Sequence, residues 1–181
     1  LSAQAQVDFI RSLIAPNADA RIFEIVSYSV LKYYYQQQRV YWGYELEQIH
    51  TENLRLFKTG RTNANDGGID FVMKPLGRFF QVTETVDVKK YFLDIDKVEK
   101  YPITFVVKSA ASAADLLANI RAQAERQYAI TTVVERYMSC IEEIINVPEL
   151  LARFQTVAAQ GYLNDTLQEI IKQSKVEFNY E

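Results

Sequence analysis

Cysteine and histidine are nearly missing from this 181-residue chain, which has one of each, Cys140 and His50. A single cysteine excludes a disulfide framework and any Cys-rich zinc site. A single histidine excludes a His-pair metal motif and weakens a Ser-His triad. No apolar run reaches the roughly 18 residues of a membrane span, so no membrane partner is expected. Internal repeats and low-complexity tracts are also missing. Leu1 to Val7 is polar and uncharged, unlike a secretory leader. The expectation is a soluble, cytoplasmic protein whose chemistry runs on carboxylates, amides, hydroxyls, Lys and Arg.

What is present is ordinary globular composition, 49% apolar and 24% charged, enough for one domain with a real core. The net charge of −3 is unevenly spread. Residues 51–108 hold ten cations against eight carboxylates, whereas residues 109–181 hold six against ten. The middle third is therefore a basic segment in an acidic chain. It reads either as a solvated face or as a local polyanion footprint.

Val7 to Ile14 predicts a short helix. Asn17 and Asp19 offer caps for a long helix to about Gln38, with Ile22, Ile25, Val26, Val30 and Leu31 as its core stripe. Arg39 to Tyr44 allows a short strand. Thr59 to Gly68 is a run of turn formers. Ile69 to Met73 and Phe79 to Val86 predict a hairpin, here residues 69–86. Residues 87–101 read as helix or loop, and Ile103 to Lys108 as a buried strand. Ser112 and Asp115 open a helix, residues 130–146 predict a second, Pro148 starts a third, and residues 163–174 form a last. The expected architecture is an α/β core over residues 1–110 and a helical extension over residues 111–181, packed on the core or forming an interface.

Asp70 is the unusual residue: a charge in an apolar strand, after two glycines, which is costly unless paired or metal-bound. A four-residue loop Pro75 to Arg78 would pair residue 70 with residue 83. Gln81, Thr83 and Thr85 then share one face, and Asp70, Gln81 and Thr83 converge. Such an oxygen-rich pocket suits Mg²⁺. The plain alternative is an Asp70 paired with Arg61 or Lys74.

Asp66-Gly67-Gly68-Ile69-Asp70-Phe71, a turn, and Phe80-Gln81-Val82-Thr83 resemble the core of PD-(D/E)XK nucleases, nearest the Mrr-like branch with its D-G-G-I-D and Q-x-K strands. Arg21-Ile22-Phe23-Glu24 resembles that branch's first helix, and Ile103 to Lys108 its next core strand. The resemblance covers roughly residues 18–110. Thr59 to Thr85 also resembles type II restriction endonucleases of the ApaLI type.

The resemblance implies a restriction-endonuclease-like three-layer core with a small mixed sheet flanked by helices. It implies Asp70 as the central metal carboxylate, Gln81 in the Glu position and Glu24 as the helix carboxylate. The family lysine falls at Thr83, which can do neither of its electrostatic jobs. Lys89 is the candidate replacement, with Lys90 next and Lys74 behind them. A second frame, Asp87-Val88-Lys89, is a literal D-x-K but would bury Pro75 in a strand. Lys58, Arg61, Thr62, Asn63, Asn65 and Lys90 are candidate DNA contacts, since Arg and Asn read base edges and Lys and Thr suit phosphates.

Three functions remain open on the sequence. The first is a Mg²⁺-dependent endonuclease on double-stranded DNA, a homodimer if it cuts both strands of a palindrome. The second is an inactive nuclease-fold DNA-binding or regulatory domain, and the third an α/β interaction module without nucleic acid.

Overall fold

A computed structural model describes residues 2–60, 68–84 and 86–179. The chain starts with α1 (Ala3–Ile14), whose first turn is capped by Ser2 Oγ accepting from the Ala5 N–H. Asp19 caps α2 (Ala20–Tyr35) by accepting the N–H groups of Arg21 and Ile22, at 2.9 and 3.4 Å. The expected core stripe forms, and the helix stops at Tyr35, short of Gln38.

Next come β1 (Arg39–Trp42) and β2 (His50–Asn53), an antiparallel pair separate from the main sheet. The main sheet runs in the order β3 (Arg55–Lys58), β4 (Phe71–Lys74), β5 (Arg78–Thr83), β6 (Ile103–Val107) and β7 (Ile141–Ile145). Its first three strands are an antiparallel meander. β6 then lies parallel to β5, and β7 parallel to β6. The crossover from β5 to β6 is α3 (Val88–Lys97). That from β6 to β7 contains α4 (Ala113–Gln127) and α5 (Thr131–Ser139). The chain closes with α6 (Val147–Ala159) and α7 (Leu163–Phe178).

Alternation along the strands makes three layers. Phe71, Met73, Phe80 and Val106 face α1, α2, α6 and α7. Ile103, Phe105 and Val107 face α3, α4 and α5. Each buried phenylalanine in these faces contributes roughly 1.5–3 kcal/mol by leaving water. The chain is therefore an α/β protein with a mixed five-stranded sheet. No described helix is long and apolar enough to cross a membrane.

Four expectations change. The 69–86 hairpin turns one residue earlier than expected: Phe71 pairs with Phe80 and Met73 with Arg78, so the four-residue loop is Lys74 to Gly77 rather than Pro75 to Arg78. Gly77 closes the turn at φ +65, which glycine adopts without steric cost, and its N–H bonds the Met73 carbonyl at 2.9 Å. Asp70 thus lies opposite Gln81 rather than Thr83. Residues 130–146 are not one helix, because Ile141–Ile145 leaves α5 and extends the sheet. The stretch 111–181 is accordingly not wholly helical. Asp87-Val88-Lys89 is not a strand motif: Asp87 caps α3, its side chain accepting the Lys89 N–H at 3.0 Å.

Candidate functional site

One end of the sheet gathers the C-terminal ends of β3, β5 and β6 and the N-terminal end of β4. Asp70 sits one residue before β4, and its backbone and side chain are held separately. Its N–H donates to Gln81 Oε1 at 3.1 Å, and Asp70 Oδ2 accepts the Val82 N–H at 2.8 Å. The Asp70 carbonyl accepts the Thr59 N–H at 3.0 Å, which carries the β3–β4 pairing past Lys58. The carboxyl group is thereby aimed, and little freedom is left to it.

Glu24 reaches the same point from α2. Its carboxyl group is hydrogen-bonded to that of Asp70, and its charge acts on Asp70. Lys58, the last residue of β3, places its Nζ 3.0 Å from Glu24 Oε2, with side chains only 8% and 7% exposed. The Lys58 ammonium also donates to the Gly60 carbonyl. Two carboxyl groups and one ammonium therefore share a buried pocket, and full ionisation would leave one uncompensated negative charge. The Asp70 pKa is raised to about 7. Burial is the largest cause and the Glu24 charge the next, with the Val82 N–H and Lys58 pulling the other way. Near neutral pH Asp70 is therefore part-protonated, with its carboxyl group hydrogen-bonded to that of Glu24. A cation arriving there would displace the proton.

A second lysine stands at the same sheet end. The Lys108 side chain is 8% exposed, its Nζ lies 2.8 Å from Glu84 Oε1, and it also donates to the Ala18 carbonyl just before α2. The Lys108 N–H bonds the Thr83 carbonyl at 2.9 Å, tying β6 to the end of β5.

The three residues read as metal ligands, Glu24, Asp70 and Gln81, thus meet, although Gln81 spends its carbonyl on the Asp70 backbone. Thr83 is buried on the same face of β5 as Gln81. Of the two cations expected as plain partners of Asp70, Lys74 lies at the far end of β4, opposite Arg55, and Arg61 lies outside the described residues. Lys89 and Lys90 are exposed on the first turn of α3. Lys89 lines a groove with Phe92, Leu93 and Tyr137 instead of joining the carboxyl pair. Arg61, Thr62, Asn63 and Asn65 lie outside the described residues. Lys58, a candidate DNA contact on the sequence, turns its ammonium inward to Glu24. Its role was hidden because a lysine in Arg-Leu-Phe-Lys looks like the polar face of an edge strand. The available signal was alternation: Leu56 is buried, so Lys58, two residues on, faces the same way.

No family model, curated protein or solved structure matches the chain.

Proposed function

We propose that the chain is a Mg²⁺-dependent endonuclease acting on double-stranded DNA, of the type II restriction enzyme kind. The observation that carries the reading is the buried Glu24–Asp70 pair with the Lys58 ammonium beside it. The missing family lysine was the main objection, and Lys58 supplies a buried ammonium within the same pocket. Element order supports the reading too. Helix α2 brings Glu24, the turn into β4 brings Asp70, and β5 brings Gln81. After α3, β6 is the strand the resemblance requires.

The donor set fits Mg²⁺, which takes one or two carboxylates and fills its shell with water and phosphate oxygens. Among the described residues no group of three His, Cys, Asp or Glu gathers, so two carboxylates are what the pocket offers. Glu24 and Asp70 would hold the ion, and when bound it would lower the pKa of a water and stabilise charge developing on the phosphate. The chain's own residues do the rest. Val82 and Gln81 fix the position of Asp70. Lys58 pairs with Glu24 and keeps a positive charge beside the phosphate's place. Asp70 gives up its proton on loading. Cutting both strands of a palindrome would require two copies of the site, hence a homodimer.

One observation favours the inactive alternative. The Lys58 ammonium is already engaged by Glu24 and the Gly60 carbonyl, and a lysine locked there would only neutralise charge. A supercoiled plasmid assay with Mg²⁺ separates the two. Cleavage by the wild type, reduced about 10³-fold in Asp70→Ala and about 10²-fold in Lys58→Met, supports the nuclease. Salt-sensitive duplex binding with no cleavage supports the inactive domain. Cleavage that survives Asp70→Ala removes the site assignment altogether.

A further inference from the structure

The β1–β2 hairpin stands off the molecule as an arm. It pairs with no strand of the main sheet. Its base is anchored: Asn53 Nδ2 donates to the Gln36 carbonyl at 2.8 Å, the Leu54 N–H donates to the Gln38 carbonyl at 2.9 Å, and Leu54 is buried. Its tip is not covered. Tyr41 is 68% exposed, Tyr44 95% and Leu46 88%, with Ile49 and Trp42 also reaching solvent.

The tip is nevertheless built. Trp42 packs edge-on against Tyr44, with centroids 6.1 Å apart, lies 5.2 Å from His50, and donates from Nε1 to Glu52 at 3.1 Å. A Cβ on Gly43 would stand 2.2 Å from the Gln48 carbonyl oxygen, so the loop closes tightly. A lone two-stranded hairpin is marginal in water, and one carrying uncovered aromatics wants a partner.

Charge indicates which partner. Over residues 39–53 the arm carries Arg39 against Glu45, Glu47 and Glu52, a net of −2 with His50 neutral. That sign disfavours a nucleic acid or an anionic membrane. A groove of about 310 Å³ between α2, β3 and α7 has the opposite balance. Lys32, Arg55 and Lys172 line it against Glu169, a net of +2, and Phe57 supplies an exposed ring. Lys32 is taken by Glu169 at 3.1 Å, Arg55 lies 5.2 Å over the Phe57 ring centroid, and Lys172 faces Glu169, so the groove keeps a positive excess for a visitor.

The groove's rim, at Gln36 and Arg55, adjoins the base of the arm, at Gln38 and Asn53. A two-fold axis beside that rim would bring each arm toward the other copy's groove. Tyr41, Tyr44 and Leu46 offer on the order of 400 Å² per arm, from the roughly 150–250 Å² an aromatic side chain buries. Two arms and two matching grooves then give about 1,600 Å², the standard size of a stable interface.

We infer that the chain forms a two-fold dimer by reciprocal exchange of the 39–53 arm into the partner's Lys32–Arg55–Lys172 groove. The inference does not rest on the nuclease reading, because its readout is assembly. Sedimentation of the full chain over the micromolar range should show a dimer. Trp42, the one tryptophan in the chain, should shift its emission to the red as dilution dissociates it. Tyr44→Ser with Leu46→Ser should raise the dissociation constant at least about 30-fold with circular dichroism unchanged.

Lys172→Glu should weaken the dimer about tenfold, and Glu47→Lys in the same chain should recover it. Mixing the arm-deficient and groove-deficient chains should restore hetero-association, since one intact arm then meets one intact groove. A wild type that stays monomeric overturns the inference, as does a double serine variant that still dimerises. So does a monomer whose Trp42 emission moves only on adding duplex DNA or anionic vesicles.

Discussion

The two ends of the main sheet are built from the same residue types with opposite outcomes. At the end away from Asp70, all three side-chain nitrogens of Arg153 are hydrogen-bonded. Its Nε bonds Glu149 at 2.9 Å, its Nη1 bonds the Tyr35 hydroxyl at 2.8 Å, and its Nη2 bonds Glu143. Its guanidinium also lies 4.8 Å from the Tyr34 ring centroid. Arg78 adds Glu143 and Thr104, at 3.3 and 3.2 Å, and its Nε lies in ion-pair range of Glu142 without hydrogen-bonding it. The carboxylates there reach solvent, so the charge balance costs little. At the Asp70 end, two buried carboxyl groups face one ammonium. The first end fastens α2, α6 and β7 together. The second holds a deficit of positive charge that folding alone does not fill, the kind of deficit a ligand can fill.

Changes at the two ends should therefore move stability in opposite directions. The largest effect is expected at Arg153. Arg153→Met keeps the stem and removes three hydrogen bonds, leaving Tyr35 and Glu143 poorly paired. We expect a loss of about 3 kcal/mol in urea unfolding at neutral pH. A loss below about 0.5 kcal/mol would mean that the network is mere surface decoration.

The next effect has the opposite sign. Between its unfolded pKa of 3.8 and its folded value near 7, Asp70 binds more protons folded than unfolded, so stability drops as pH rises through that window. Asp70→Asn removes that cost while keeping an acceptor for the Val82 N–H. It should stabilise the protein by about 2 kcal/mol at pH 8, with the gain shrinking to nothing near pH 4. A pH-independent gain would instead point to packing. Destabilisation at pH 8 would show that the carboxyl pair is not under strain.

The smallest effect is expected at Lys89. Lys89→Ala removes an exposed side chain away from the carboxyl pair. Plasmid cleavage and Mg²⁺ binding should change less than about twofold. A loss comparable to that of Lys58→Met would bring α3 back into the site and blur the contrast between the two lysines.

The candidate site was partly legible. Asp70 and Gln81 announce themselves by a charge in an apolar strand and by strand alternation, and Glu24 by its place in a capped helix. Their register differs from the expected one by two residues because a four-residue loop at Lys74 to Gly77 and one at Pro75 to Arg78 are both compatible with Lys-Pro-Leu-Gly-Arg. Only the positive φ of Gly77 decides between them. β7 was taken for helix because Ile-Glu-Glu-Ile-Ile satisfies both periods, and the free edge of β6 settles the matter. β2 and β3 were missed because His-Thr-Glu-Asn and Arg-Leu-Phe-Lys are short and polar at their ends, as edge and arm strands tend to be.

By itself the sequence determined local matters: which stretches are amphipathic, where Asp19 and Ser112 cap helices, which carboxylates sit in apolar surroundings, and that Cys and His chemistry is excluded. Only the tertiary structure decided which charges meet. Lys58 and Glu24 are 34 positions apart, on a strand and a helix whose packing is set by hydrophobic burial along their whole length. Each residue's own neighbours in sequence say nothing about the other. Burial then turns an ordinary lysine and two ordinary acids into a closely coupled, charge-imbalanced group, because charges the chain would leave solvated apart must be balanced together once water is excluded.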